Sequence, residues 1–179
     1  MGCAKTLTGM DLDCRESVGG IKEVYILGDR SDITFPITIA NDAITAIALK
    51  EGSDKFLPYK FRKQTGSMVS TINTSEENGT TFVQTDVTLV FHKMEAKKRL
   101  EISALMVGDC AMLVKDGNDK YWFLGFDEPV TLTAGTAGTG TAKGDKNGYD
   151  LTLTDLSNTL PYEVSKAIAE GIIGTLPVA

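Results

Sequence analysis

The side chains able to do chemistry are few and scattered. The chain of 179 residues has one histidine, His92, and three cysteines, Cys3, Cys14 and Cys110. His92 is the single imidazole available for a Ser–His or Cys–His pair, and such a pair needs a nucleophile brought to it in space. At the end of a strand-like run it reads more simply as a surface or packing residue. One histidine excludes a His-rich metal site. Three cysteines are no disulfide framework, although Cys3 and Cys14 could close a small loop. The N-terminus shows no charged segment followed by an apolar one, so reduced thiols are the expectation.

Other patterns are equally weak as chemistry. Asp116-Gly117-Asn118-Asp119 offers carboxylates without the spacing or terminal Glu of a calcium loop, and a tight turn accounts for it. Asp127 and Glu128 are adjacent, so an extended chain points them to opposite faces and they form no acid–base pair. Gly135 to Gly144 has the composition of a phosphate loop. It lacks Gly-Lys-Ser/Thr at the required gap, however, and a strand rather than a helix follows it. Met1-Gly2-Cys3-Ala4-Lys5-Thr6 matches the myristoylation pattern with Cys3 as a palmitoyl position. The acidic Asp11, Asp13 and Glu16 supply no basic patch to support it. Asn73-Thr74-Ser75 and Asn78-Gly79-Thr80 match the glycosylation sequon by chance, and Met94, Met106 and Met112 read as core fillers. No catalytic residue, cofactor or metal is expected.

The elements that would position these residues are mostly strands. The 21 threonines, with Val, Ile and aromatics in short runs, favour pleated structure. Residues 1–20 read as an extended arm and 21–179 as one β-rich domain. Strands are expected at 21–27 and 33–39, where Pro36 argues for an edge, and at 55–64, where Pro58 argues the same. Residues 43–50 fit a strand or a short helix. Ser67–Thr74 and Thr80–His92 form a hairpin around Asn78-Gly79. In its second strand Val83, Thr85, Val87, Leu89 and Phe91 make the apolar face. Residues 93–107 shift to helical period, with Ala96, Leu100, Ala104 and Val107 on the expected buried face and Gly108 as the stop. A hairpin follows at 110–115 and 120–126. There Trp122 faces opposite Tyr121 and Phe123, which hints at core on one side and a subunit contact on the other. Strands are expected at 130–133 and 149–154, joined by a flexible loop over 134–148. Val164, Ala167, Ile168 and Ile172 suggest a short closing helix.

Composition sets the outer limits. The net charge of −6 argues against a dedicated nucleic-acid binder. No apolar run approaches a membrane span, and the hydrophobic fraction of 42% is that of a folded chain.

Whole segments carry more information than any motif. GCAKTLTGMDLDC with GGIKEVYI, the stretch FRKQTGSMVSTINTSEENGTTFVQTDVTLVFHKMEAKKRLEISAL, KDGNDKYWFLGFDEPVTLTAG and YDLTLTDLSNTLPYEV resemble structural proteins of tailed phages of gut anaerobes. The order of elements is similar to the phage tail-tube family. The resemblance implies a β-sandwich or barrel with one flanking α-helix (Lys93–Val107), a long loop (134–148 or 50–66) and an N-terminal arm (1–20). It implies a virion protein, assembled in the host bacterial cytoplasm, that forms homo-oligomeric, stacked hexameric rings and meets other tail proteins. DNA would pass through the lumen without specific binding, which suits an acidic chain. Contacts between subunits would come from Cys3, Leu7, Leu12 and Cys14 of the arm and from Gly138 and Lys143 of the loop, with Thr80–His92 lining the tube. The same resemblance covers a connector or completion ring or a hub. Two rivals stand outside it: a β-sandwich binding module using loop 134–148, and a small hydrolase using His92.

Overall fold

The computed structural model describes residues 9–10 and 15–176. Among the described residues eleven strands form two sheets. The strands are β1 (Ile21–Leu27), β2 (Ile33–Ala40), β3 (Ala43–Leu49), β4 (Leu57–Tyr59), β5 (Ser67–Ser75), β6 (Thr80–His92), β7 (Ala111–Asp116), β8 (Tyr121–Leu124), β9 (Thr131–Gly138), β10 (Gly148–Ser157) and β11 (Tyr162–Val164). Helix α1 (Ala96–Leu105) joins β6 to β7, and α2 (Lys166–Ile172) follows β11. The larger sheet runs β2-β3-β11-β8-β7-β1-β4 and the smaller β5-β6-β10-β9. Every pairing is antiparallel except β3 with β11. The architecture is a β-sandwich with α1 at its flank, and neither sheet closes into a barrel within the chain.

Two apolar clusters explain the layering. Between the sheets lie Val24, Ile26, Met112 and Val114 of the larger sheet and Val87, Leu89, Leu151 and Leu153 of the smaller one. On the far face of the larger sheet, Leu27, Ile44, Leu113 and Phe123 pack with Ala169 and Ile172 of α2. The central strand β7 is therefore buried on both faces, and its first four residues, Ala-Met-Leu-Val, show no polar alternation. The smaller sheet is covered on one face only, so β6 alternates: Val83, Thr85, Val87 and Leu89 are buried, and Gln84, Asp86, Thr88 and Val90 are half-buried.

The turns follow local chemistry. Asn41 and Asp42 both take left-handed φ, +51° and +57°, and link β2 to β3 as a two-residue hairpin of type I′. At the β5–β6 connection Gly79 has φ +63°. Both proline-bearing strands, β2 with Pro36 and β4 with Pro58, lie at the two edges of the larger sheet, where a missing N–H costs no ladder bond. Residues 43–49 are a strand.

Four expectations are corrected. Helix α1 forms but buries a different face: Leu105 is 5% exposed and Ile102 packs on the core, whereas Leu100 is 67% and Val107 88% exposed. The helix meets the inter-sheet core through Ile102 and Leu105, and the position of that core decides which side of α1 is covered. Residues 134–138 continue the strand rather than opening the loop, because β9 is held by backbone bonds to β10 that need no bulky side chain. Val164 belongs to β11, and α2 buries Ala169 and Ile172 rather than Ala167. Trp122 packs against the inter-sheet core and donates its indole N–H to Asp116 Oδ2 at 3.0 Å, so both faces of β8 are covered within the chain.

Candidate assembly surface

The smaller sheet is the part of the molecule whose surfaces lack an internal explanation. Its outward face carries Phe82, Gln84, Asp86, Thr88 and Val90 from β6 and Asp150, Thr152, Thr154 and Leu156 from β10. The polar groups bond to one another. Thr154 Oγ1 donates to Asp86 Oδ1 at 2.6 Å, Gln84 Nε2 donates to Asp86 Oδ2 at 3.0 Å, and the hydroxyls of Thr133 and Thr154 lie 2.7 Å apart. Asp150 accepts from Thr136 and pairs with Lys146, which lies outside the strands.

The four strands of this sheet contain no lysine or arginine, three aspartates and eleven of the chain's 21 threonines. Its strand face is a neutral-to-acidic, hydroxyl-rich wall. Cations are needed to hold nucleic-acid phosphates, and these strands offer none.

The edges differ between the two sheets. The larger sheet guards both edges with proline. In the smaller sheet β5 and β9 are the edge strands, and neither contains Pro, Lys, Arg, Asp or Glu. Natural sheets blunt such edges with charge, proline or bulges to prevent pairing with other chains. Here β5 and β9, nine and eight residues long, carry neither charge nor proline; β9 has one bulge, at Thr133, and outside it both strands keep a row of backbone donors and acceptors facing outward.

The hairpin joining β9 and β10 is organised rather than slack. Asp145 Oδ2 accepts from the backbone N–H groups of Thr141 and Ala142, both at 2.7 Å, which holds its carboxyl below the usual range. Those amides are therefore occupied and form no phosphate cradle. Asn147 accepts from the backbone N–H of Lys93 and of Met94, which ties the hairpin to the chain entering α1. At its base Gly148 is required: a Cβ there would lie 2.0 Å from the Phe91 carbonyl oxygen.

Of the contact residues expected from sequence, Gly138 is the last residue of β9, paired with Gly148, and Lys143 stands exposed in the 139–147 tip. Cys3, Leu7, Leu12 and Cys14 lie outside the described residues. The structure does not bring the remaining chemical candidates together. The His92 imidazole has no hydrogen-bond partner among the described residues. Cys110 is buried beside the Gly28 carbonyl, and burial pushes its thiol up to about 11, far from a reactive thiolate. Asp116 accepts from the backbone N–H of Asn118 and of Lys120, and Asp119 pairs with Lys22 at 3.0 Å. The turn is thus internally satisfied. Among the described residues no three His, Cys, Asp or Glu side chains converge on a metal-sized site, and no helix is long and apolar enough to cross a membrane.

Two features escaped sequence reasoning. One is the pair of open edges, which depends on strand order. The other is Asp155, buried at 2% exposure on the inner face of β10, where it accepts the Gly125 N–H at 3.1 Å. Burial, with the nearby Asp127 and Glu128 charges, raises its carboxyl to about 6 against the opposing pull of the Gly125 bond and Arg30. Comparison with known proteins finds no match to a family model, a curated protein or a solved structure.

Proposed function

We propose that this chain is a structural subunit of a phage tail, most simply the tail-tube protein, which assembles into stacked, hexameric rings around a DNA conduit. The observation that carries the reading is the smaller sheet, with two edges free of charge and proline and a face whose strands hold no cation. Strand direction alternates across β5, β6, β10 and β9. The first and last strands therefore run in opposite directions. A neighbour placed head to tail sets its β5 against β9 with antiparallel polarity, and repetition of that step continues the sheet into a ring. No catalytic group is needed for this role, and the polar, acid-bearing wall would let phosphates pass without capture.

Purified protein imaged by negative stain and sized by sedimentation velocity should form rings or tubes as concentration rises. A monomer at all concentrations overturns the reading. A connector or completion ring or a hub would share the same edges. Copy number per virion separates these roles, since a tube subunit is abundant and a ring is present as one set.

A further inference from the structure

The two edges of the smaller sheet are complementary in a way that backbone pairing alone does not require. On β5, Ile72 stands opposite Val83, which is buried, so its side chain belongs to the core-facing side of the sheet. It is nevertheless 61% exposed, because the inter-sheet core reaches β5 at Met68 and does not extend along the strand to Ile72. On β9 the core-facing positions are Gly135, opposite Leu151, and Ala137, opposite Tyr149. Their small size leaves a groove of about 320 Å³ between β9 and the C-terminal end of α1, lined by Ile102, Met106, Leu132, Ala137 and Tyr149 among others. Met106 and the adjoining Val107 are largely exposed above it. One edge thus carries an apolar knob and the other an apolar hollow, both on the same side of the sheet.

We infer that this groove receives Ile72 from a second copy of the chain, so that α1 clasps the neighbour's β5 edge. The inference rests on the head-to-tail ring reading and gives it a side-chain key. Continuing the sheet from β9 to the neighbour's β5 keeps core-facing sides together, so Ile72 arrives on the α1 side of β9. The two strands differ in length by one residue, which lets the ladder run along most of both. A two-fold pairing of β5 with β5 would instead leave both grooves empty.

The test is cross-linking of the full chain carrying Cys3→Ser and Cys14→Ser, leaving the buried Cys110. With Ile72→Cys and Met106→Cys together, mild oxidation should give a covalent ladder up to ring size, and either cysteine alone should give none. A dimer from Ile72→Cys alone reports β5–β5 pairing and overturns the inference. In a second arm, Ile72→Lys should raise the concentration needed for assembly on the order of ten- to a hundredfold while leaving the monomer's urea midpoint unchanged. Rings that form normally with Ile72→Lys, or rings of the double-cysteine variant that give no ladder, overturn the clasp and leave the ring reading standing. Absence of any assembly in the unsubstituted protein overturns both.

Discussion

Asp155 shows how much one buried group can shift. Its carboxyl ionises near 6 in the folded chain against an ordinary value of 3.8. The folded state therefore binds the proton more tightly than the unfolded state. The stabilisation from this group is complete below pH 3.8 and is lost as pH rises through about 6. Asp155→Asn, which keeps an oxygen for the Gly125 N–H, should raise unfolding free energy at pH 7.5 by about 1–3 kcal/mol and by little at pH 4. Urea titrations at the two pH values check this, and equal effects at both would refute it. Gly148 is a steric counterpart. Because a Cβ would strike the Phe91 carbonyl, Gly148→Ala should cost roughly 2 kcal/mol or more in the same assay. Neither residue was legible as special in the sequence. Asp155 sits in an alternating strand like any polar residue, and Gly148 ends a run of small residues typical of a hairpin.

At the scale of elements, α1 tests which face of a helix carries stability. Leu105→Ala should destabilise the chain by about 2–4 kcal/mol through the cavity it leaves. Leu100→Ala should change stability by less than about 0.5 kcal/mol. The reverse order would mean that the core contacts of α1 are misassigned. The helix itself was readable from its period, and so were the strands of the β5–β6 hairpin and the proline-marked edges β2 and β4. The buried face of α1 was not. Apolar residues occur on both sides of this helix, and only the position of the sandwich decides which side is covered. The Gly/Thr-rich segment misled for a related reason. Side-chain composition predicts what can fill a core, while β9 is held by backbone pairing to a β10 that does fill it.

For the whole molecule, the wall of the smaller sheet predicts a response to charge. Assemblies of the unsubstituted protein should leave duplex DNA unretarded in gel mobility at about 50 mM salt, well below the ionic strengths that screen phosphate contacts. Thr88 and Thr152 pair across β6 and β10 in the middle of that face. Replacing both with lysine should create DNA retention that weakens steeply as salt is raised. Retention already present without the lysines would argue against a conduit whose wall is this face.

Legible in the chain alone were the strand-rich class, a helix within 93–107, the proline-marked strands and the thin supply of groups that could do chemistry. These depend on side-chain period, backbone restriction and residue identity, all local properties. The resemblance of its segments to tail proteins supplied the expectation of a ring. Folding alone sets β5 and β9, free of charge and proline, at opposite edges of one four-stranded sheet, gathers cation-free strands into it, and puts Ile72 and the α1–β9 groove on one side. Strand order is set by pairings across long sequence separations, such as Leu151 with Leu89. Such pairings are chosen by the joint burial of both partners, which no single segment contains.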